Sequence, residues 1–201
     1  MTVKCFALLI SYVLHPAAIP LLGICFLVAL HPLPVMTNLL VYALAFVFLG
    51  TYIIPALISL SLKSVGLIDS LHMNTAKDRR IPFVIAFVFY LFTAIYVRRF
   101  PLPAECSAFL MGAALSIGLL TLLLPYQKAS AHMAGIGGMI GLIAHISSAY
   151  FVDLFAFWVA AVLAAGLLGS ARLILLAHSK KELLSGLLCG LFGMLISLNW
   201  L

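Results

Sequence analysis

The chain has 201 residues, of which 66% are hydrophobic and 8% are charged, whereas a soluble globular domain is about 25% charged. With eleven Lys or Arg and five Asp or Glu, it has too few charges to solvate a surface in water, so most of its exterior must face lipid. This composition excludes a disordered chain, a disulfide scaffold and a nucleic-acid-binding module.

Seven stretches are candidate membrane helices, since a bilayer-spanning helix needs about 20 mostly apolar residues. They run approximately over residues 5–30, 38–62, 82–97, 104–124, 133–151, 153–176 and 183–201. The first two contain prolines, which neighbouring helices can accommodate in a bundle. Because nothing is left over for a soluble domain, residues 1–201 are predicted to form one all-α, polytopic membrane domain with six or seven transmembrane helices.

The basic residues are distributed unevenly between the two sides of such a bundle. Seven spans would place the N-terminus and the loops 63–81, 125–132 and 177–182 on one side, with nine of the eleven Lys and Arg residues. Arg98 and Arg99 would lie on the other side. The positive-inside rule would make the basic side cytoplasmic. An anion-binding site is a second explanation, and both can be true.

The first polar cluster on the basic side covers residues 69–82. It contains two adjacent arginines, Arg79 and Arg80, shortly before Pro82, which is predicted to start the next helix. Arginine is the residue best suited to forked hydrogen bonding with phosphate oxygens. A basic membrane anchor is the alternative interpretation.

The second cluster covers residues 127–132 and precedes a glycine-rich helix start. Ser130 is a predicted N-cap, so free amide groups, the positive end of the helix and Lys128 would converge where an anion can bind. His132 is placed there to donate or accept a proton, although capping alone also explains the pattern. Gly137 and Gly141 have the spacing of close helix contacts, which favours packing within the chain.

The third cluster contains Arg172, His178 and Glu182. His178 and Glu182 are four residues apart, so on one helix Glu182 would accept the Nδ1–H of the imidazole and leave Nε2 with a lone pair. An imidazole oriented in this way is an activated nucleophile or base. Arg172 lies about 240° round an ideal helix from His178, so it reaches the histidine by its length or because the helix breaks. A snorkelling pair at a helix end is the alternative.

In this order, the three clusters resemble the signature blocks of the type 2 phosphatidic acid phosphatase superfamily, K-x6-R-P, P-S-G-H and S-R-x5-H-x3-D. The corresponding segments are Arg79-Arg80-Ile81-Pro82, Ala129-Ser130-Ala131-His132 and Arg172-x5-His178-x3-Glu182. The resemblance covers about residues 63–185, and the last block is its specific part. By spacing, His72 takes the place of the family's lysine. Ala131, Ala171 and Glu182 stand where the family has Gly, Ser and Asp.

The resemblance implies hydrolysis of a lipid headgroup phosphate, as a phosphatase or pyrophosphatase, without a metal or other cofactor. It implies that His178 attacks phosphorus to give a phosphohistidine, that Glu182 orients it and that His132 protonates the leaving oxygen. The phosphate would be held by side chains and amide groups of the three clusters, namely Arg79, Arg172, the amides near Ser130, and Arg80, Lys128 and His72 as helpers. The partners implied are a phosphorylated lipid and membrane lipids, and the bacterial inner membrane is the location. Neither the membrane face nor the oligomeric state follows.

Three other functions are weighed against this one. A catalytically degenerate relative would bind a lipid phosphate or serve as a scaffold, because the motif lysine and serine are lost. A small transporter would use the polar groups His15, His31, His145 and Asp153, of which His145 is expected to make an interhelical hydrogen bond. His15 and His31 each precede a proline, which predicts turn positions. A metal-dependent enzyme is disfavoured, since the sequence has no His-Glu-x-x-His and no tight histidine cluster.

Overall fold

The computed structural model of the chain describes residues 2–71 and 75–199, which form an all-α bundle without a strand. Within these residues, seven helical segments are long and apolar enough to cross a membrane. The protein is therefore a polytopic membrane protein. Its helices are α1 (Thr2–Val13), α2 (Ile19–Leu30), α3 (Thr37–Phe48), α4 (Ile54–Ser64), α5 (Ala76–Val97), α6 (Ala104–Leu123), α7 (Ala131–Tyr150), α8 (Phe155–Ile174) and α9 (Lys180–Leu198).

The first two predicted spans are both interrupted near a proline. In the first, a 3-10 turn at Pro16–Ala18 separates α1 from α2, so the predicted single helix is two helices of 12 residues each. In the second, a π-helical turn at Leu49–Ile53 joins α3 to α4. Pro55 has no amide hydrogen to donate in the regular helical pattern, and local π geometry is one way in which a membrane helix adapts to a proline.

The two spans that follow charged segments, α5 and α9, begin earlier than the sequence predicts. α5 starts at Ala76 rather than at Pro82, because Thr75 caps it by accepting a hydrogen bond from the amide of Asp78 at 3.1 Å. Pro82 therefore lies inside the helix, and Arg79 belongs to its first turns. α9 starts at Lys180 rather than at residue 183. The charge of the residues at both helix starts favours loops in the sequence. In the structure, capping side chains let these residues form the first helical turn.

The centre of the bundle is formed by α6, α7 and α9, and α5 packs on α6. Glycines let the backbones of α7 and α9 come into contact: a Cβ at Gly190 would collide with the carbonyl oxygen of Ala134. The predicted contact face of α7 is confirmed, since Gly137 lies against Leu187 and Gly141 against Met194 on α9. This close packing fixes the start of α9 against the start of α7, where two of the three polar clusters meet.

Candidate active site

His178 lies in the short link between α8 and α9, and it is buried. α8 ends at Ile174, and Leu176 adopts a left-handed backbone conformation with a φ of 52°. Amide groups of the link donate back to carbonyls of the last helical turns, which keeps the link folded against α8. Because the helix breaks here, Arg172 and His178 come close enough to interact electrostatically. From the sequence, either the length of the arginine or a helix break would explain this, and the structure has the break.

The imidazole of His178 is oriented by a main-chain group of another loop. Its Nδ1–H donates to the carbonyl oxygen of Lys128 at 3.0 Å. A carbonyl oxygen can only accept, so Nδ1 carries the hydrogen and Nε2 of the neutral ring keeps its lone pair. The sequence predicted the Glu182 carboxylate as the acceptor, but Oε2 of Glu182 lies 3.7 Å from Nδ1. The prediction was wrong on this contact, because His178 precedes α9 instead of sharing a helix face with Glu182.

Glu182 instead joins two loops at the start of α9. One carboxylate oxygen accepts from the amide of Ser179 at 2.7 Å, and the Ser179 hydroxyl accepts from the Glu182 amide at 3.4 Å, which completes a capping box. The other oxygen accepts from the amide of Lys128 at 3.2 Å. The carbonyl of Glu182 also accepts from the amide of Ser130 at 2.9 Å. Glu182 thereby fixes the loop that carries the acceptor for His178.

The surroundings of His178 favour its neutral form. Burial and, to a smaller extent, the guanidinium groups of Arg79 and Arg172 lower the pKa of the imidazole to about 4. The carboxylate of Glu182 and the hydrogen bond to Lys128 act in the opposite direction without outweighing burial. At neutral pH the ring is therefore uncharged, with an available lone pair on Nε2.

Arg79 is buried and reaches the same place from α5. One of its terminal nitrogens donates to the carbonyl of Ala129 at 3.3 Å. Its neighbour Asp78 is also buried, but the carboxylate is occupied by the amide of Asp69 at 2.9 Å and the hydroxyl of Thr75 at 2.7 Å. Asp78 thus joins the loop at Asp69 to the N-cap residue Thr75, and the Arg79 guanidinium donates to the loop before α7.

Arg172, in the last turn of α8, presents a buried donor to the site. Its Nε has no hydrogen-bond partner among residues 2–71 and 75–199. Buried polar groups are paired in the great majority of cases, so an unpaired one calls for an explanation such as a ligand. An anion beside His178 would supply both the missing acceptor and a counter-charge.

Ser130 is the N-cap of α7, as predicted. The residue is fully buried, and its hydroxyl accepts from the amide of Met133 at 3.4 Å. The amide of Ser130 itself is used by Glu182. At this helix end, the amides of Ala131 and His132 have no acceptor in the described part of the chain. These two groups are therefore the amides available to an anion at the positive end of α7.

His132 lies in the first turn of α7, and its ring meets that of a histidine which the sequence analysis placed outside the site. The ring of His15 stands edge-on to it, with the centroids 5.3 Å apart. His15 occupies the break between α1 and α2, where its Nδ1 accepts from the amide of Ala17 at 3.2 Å, so Nε2 carries the hydrogen in the neutral ring. The turn position before Pro16 was predicted correctly. The contact with His132 was not, because nothing local relates residue 15 to residue 132.

The remaining predicted phosphate ligands are placed differently. Arg80 is exposed, and successive helical residues point about 100° apart, so it does not accompany Arg79 into the site. Lys128 contributes through its main chain, whose carbonyl and amide bond His178 and Glu182. His72 lies outside the described residues.

The polar groups considered for a transporter lie away from the site, His15 excepted. His31 follows α2 in a turn, where its Nδ1 is 3.1 Å from the amide of Leu33. Asp153 accepts from the amide of Phe155 at 2.9 Å, just before α8. His145 is partly buried on α7 and interacts electrostatically with Glu105. His31 and Asp153 therefore serve turns at helix ends.

Comparison with known proteins does not identify a relative. No family model matches the chain, and neither a curated protein nor a solved structure matches it. Within residues 2–71 and 75–199, no three His, Cys, Asp or Glu side chains are arranged to hold a metal ion. The site brings together, at one end of the bundle, a neutral imidazole, two guanidinium groups, two helix-end amides and a second histidine.

Proposed function

We propose that the protein hydrolyses the headgroup phosphate or diphosphate of a membrane lipid through a phosphohistidine on His178. The observation that carries the proposal is the pairing of a buried, neutral imidazole with an unpartnered guanidinium nitrogen of Arg172, judged on the described residues. A nucleophile next to a guanidinium nitrogen that lacks an acceptor is the arrangement that a phosphate group requires. The resemblance of the three polar clusters to the lipid phosphatase superfamily points to the same reaction.

Binding would use the groups that surround Nε2 of His178. Arg172 and Arg79 neutralise the phosphate oxygens, and the amides of Ala131 and His132 donate from the positive end of α7. Because these donors are held by helices and a capped loop, they are in place before charge develops in the transition state. Such preorganised donors usually contribute the largest part of catalysis in phosphoryl transfer.

In the first step, Nε2 of His178 attacks phosphorus and the bond from phosphorus to the lipid oxygen breaks. His132 enters this step as the imidazolium, a form that the negative charge of the bound phosphate favours. It gives one proton to the leaving oxygen and becomes neutral, so that a lipid alcohol departs, or a lipid phosphate when the substrate is a diphosphate. The Lys128 carbonyl, which holds Nδ1–H, stabilises the positive charge that the phosphorylated ring acquires. Glu182, 3.7 Å from Nδ1, adds to this effect.

In the second step, a water molecule attacks phosphorus and gives its proton to His132. The phosphorus–nitrogen bond breaks, inorganic phosphate leaves, and His178 recovers its lone pair on Nε2. One water is consumed, and both histidines return to their starting protonation states. The same two residues therefore act in both steps, as a nucleophile and as a proton carrier.

The site belongs at a membrane interface because its groups lie at the ends of membrane helices. Lipid phosphates present their charged group at that level while their chains remain in the bilayer. A bacterial inner membrane is the location proposed with the function, on the strength of the resemblance alone.

The test is phosphate release by the detergent-purified protein from a panel of lipid phosphates and diphosphates, with EDTA present. Wild type is expected to release phosphate, and His178→Asn and His132→Ala are expected to lose at least about a hundredfold in kcat/KM. Asparagine keeps a side-chain donor for the Lys128 carbonyl but offers no nucleophile. Release from wild type that persists unchanged in His178→Asn would sink the mechanism.

A matched control is His31→Asn, at the other end of the bundle. It changes the same residue type and is expected to leave phosphate release within about twofold of wild type. The covalent intermediate can be detected directly on a denaturing gel. An acid-labile, base-stable phosphoprotein is expected in wild type and should be absent in His178→Asn.

A second candidate function is binding of a lipid phosphate without turnover. The observation that favours it is Ala171, a buried methyl group at the position where the superfamily has a phosphate-binding serine. This reading predicts that wild type and His178→Asn bind the lipid phosphates equally and release nothing. Arg172→Ala would abolish the binding under either function, so turnover decides between the two.

A further inference from the structure

A cavity of about 220 Å³ extends from the site into the bundle, between α2, α5, α6 and α7. On each of the last three helices its lining covers seven residue steps from the end nearest the site, which corresponds to a depth of about 10 Å. This depth is roughly a third of the hydrocarbon thickness of a bilayer. The stretches are Phe83 to Tyr90, Leu120 to Ala113 and Ala131 to Gly138.

The wall of the cavity is mostly hydrocarbon, with side chains such as those of Phe83, Ala113 and Leu120. Three hydroxyl groups lie in the lining, and all of them are occupied: that of Tyr90 is hydrogen-bonded to Thr51. Thr51 donates to the carbonyl of Val47 at 2.7 Å, and Ser116 donates to that of Gly112 at 2.7 Å. Protein interiors are otherwise closely packed, and apolar cavities of this kind bind apolar molecules rather than water.

The cavity lies next to the two histidines of the site. Ala131, in its wall, precedes His132 in the chain, and His15 contributes to the wall while its ring contacts that of His132. His15 also lines an outer groove with Tyr12, whose side chain is exposed, and with Tyr52. The interior cavity and the outer groove thus share His15 and Ala17 in their linings.

The geometry points to the cavity as the binding site for one hydrocarbon chain of the lipid whose phosphate is held beside His178. The assignment rests on the proposed function only in using the phosphate as the anchor. The ligand chemistry is a flexible apolar chain attached to a phosphate. Any second chain remains in the groove beside Tyr12 and Tyr52, because the volume of the cavity accommodates a single chain.

Filling the cavity tests the assignment through substrate selectivity. Ala113→Leu adds hydrocarbon to the cavity wall, and Ala160→Leu adds the same group on the exposed surface of α8. In Ala113→Leu, kcat/KM for dodecyl phosphate is expected to fall about tenfold or more, while that for ethyl phosphate stays within about twofold. Ala160→Leu is expected to change neither. Equal losses for the long and the short substrate, or no loss for either, would overturn the assignment.

The source of the chain is distinguished by two further substrates, a diacylglycerol phosphate and a farnesyl phosphate. Each carries one chain that can enter the cavity, and the larger loss in Ala113→Leu identifies the class that uses it. A loss with at least one of them supports the assignment, whereas two unaffected lipid substrates refute it.

A measurement that needs no turnover separates this inference from the proposed function. Dodecyl phosphate with a diazirine at the chain end should, on illumination, label peptides from residues 83–90 and 113–120 of wild type. Ala113→Leu should reduce the labelling and Ala160→Leu should not. Labelling of these peptides without phosphate release would refute the phosphatase and keep the chain site. Phosphate release with labelling only of lipid-facing peptides would refute the chain site and keep the phosphatase.

Discussion

The two ends of the bundle both carry arginines and a glutamate, but they use them differently. At the end opposite the site, Arg98 and Arg99 are exposed, and Arg99 stacks 5.5 Å from the ring of Tyr96. Glu105 there accepts a hydrogen bond from Tyr150 at 3.2 Å. At the site, Arg79 is buried, and Arg172 keeps a buried nitrogen without a partner in the described residues.

Burial of the arginines distinguishes a binding site from a basic membrane anchor better than their charge alone does. An exposed guanidinium at a membrane interface is solvated or meets a lipid headgroup at little cost. A buried and unpaired one costs free energy until an acceptor arrives. Among the described residues, the buried guanidinium nitrogen that lacks an acceptor belongs to Arg172, near His178, whose Nε2 lone pair is available. An anion bound there would supply the acceptor.

Arg172→Ala against Arg98→Ala is the sharpest way to break this comparison. Removing Arg172 is expected to lower kcat/KM for a lipid phosphate by about 10² to 10³, as loss of one preorganised charge-stabilising donor does. Removing Arg98 is expected to change it by less than about twofold, because that side chain is exposed at the opposite end. Phosphate-release kinetics on both variants provide the measurement.

The outcome is interpretable only if the variants fold equally, so thermal unfolding in detergent accompanies the kinetics. Arg172→Lys should restore part of the activity, since the charge returns without the planar donor set. Equal losses in Arg172→Ala and Arg98→Ala would mean that the arginines act through general electrostatics, and the contrast between the two ends would disappear.

Glu182→Gln against Glu105→Gln gives a smaller effect. Glutamine at position 182 can still accept from the Ser179 amide with its one oxygen, so the cap of α9 persists, but its NH2 group cannot accept from the Lys128 amide. Loss of the negative charge near the phosphorylated His178 is expected to lower kcat by about tenfold. Glu105→Gln should leave kcat unchanged, because Glu105 serves a hydrogen bond at the other end. If both variants keep the activity of wild type, the role of Glu182 is confined to capping.

The fold class and the N-cap of α7 could be predicted from the sequence, because both depend on local signals. Seven apolar stretches are visible without tertiary information, and the N-cap role of Ser130 follows from one hydroxyl before a helix. The predicted starts of α5 and α9 were wrong, because charged residues are typical of loops. Thr75 and Ser179 cap these helices, so the charged residues that follow them are helical.

The contacts that orient the site were beyond sequence reasoning. The acceptor for His178 is a backbone carbonyl 50 residues away, and every residue has such a carbonyl, so side-chain patterns carry no sign of it. The break of α8 before His178 uses Leu176 with positive φ, where a glycine or asparagine would have been the visible signal. His15 joins His132 only because two helices and a turn place it there.

The acid limb of the pH profile is the mildest test, and it follows from the lowered pKa of His178. Protonation removes the Nε2 lone pair, so kcat/KM should decline through this group only below about pH 4, rather than below the ordinary value of 6.5. By the same linkage, its contribution to folding stability diminishes as the pH falls from about 6.5 to about 4.

Arg79→Gln removes one of the charges that depress the pKa of His178 and should move the acid limb toward neutrality, whereas Arg98→Gln should not. Because the substrate titrates identically with both variants, the difference between their profiles isolates the enzyme. Superimposable profiles would show that the cations at the site do not act on His178.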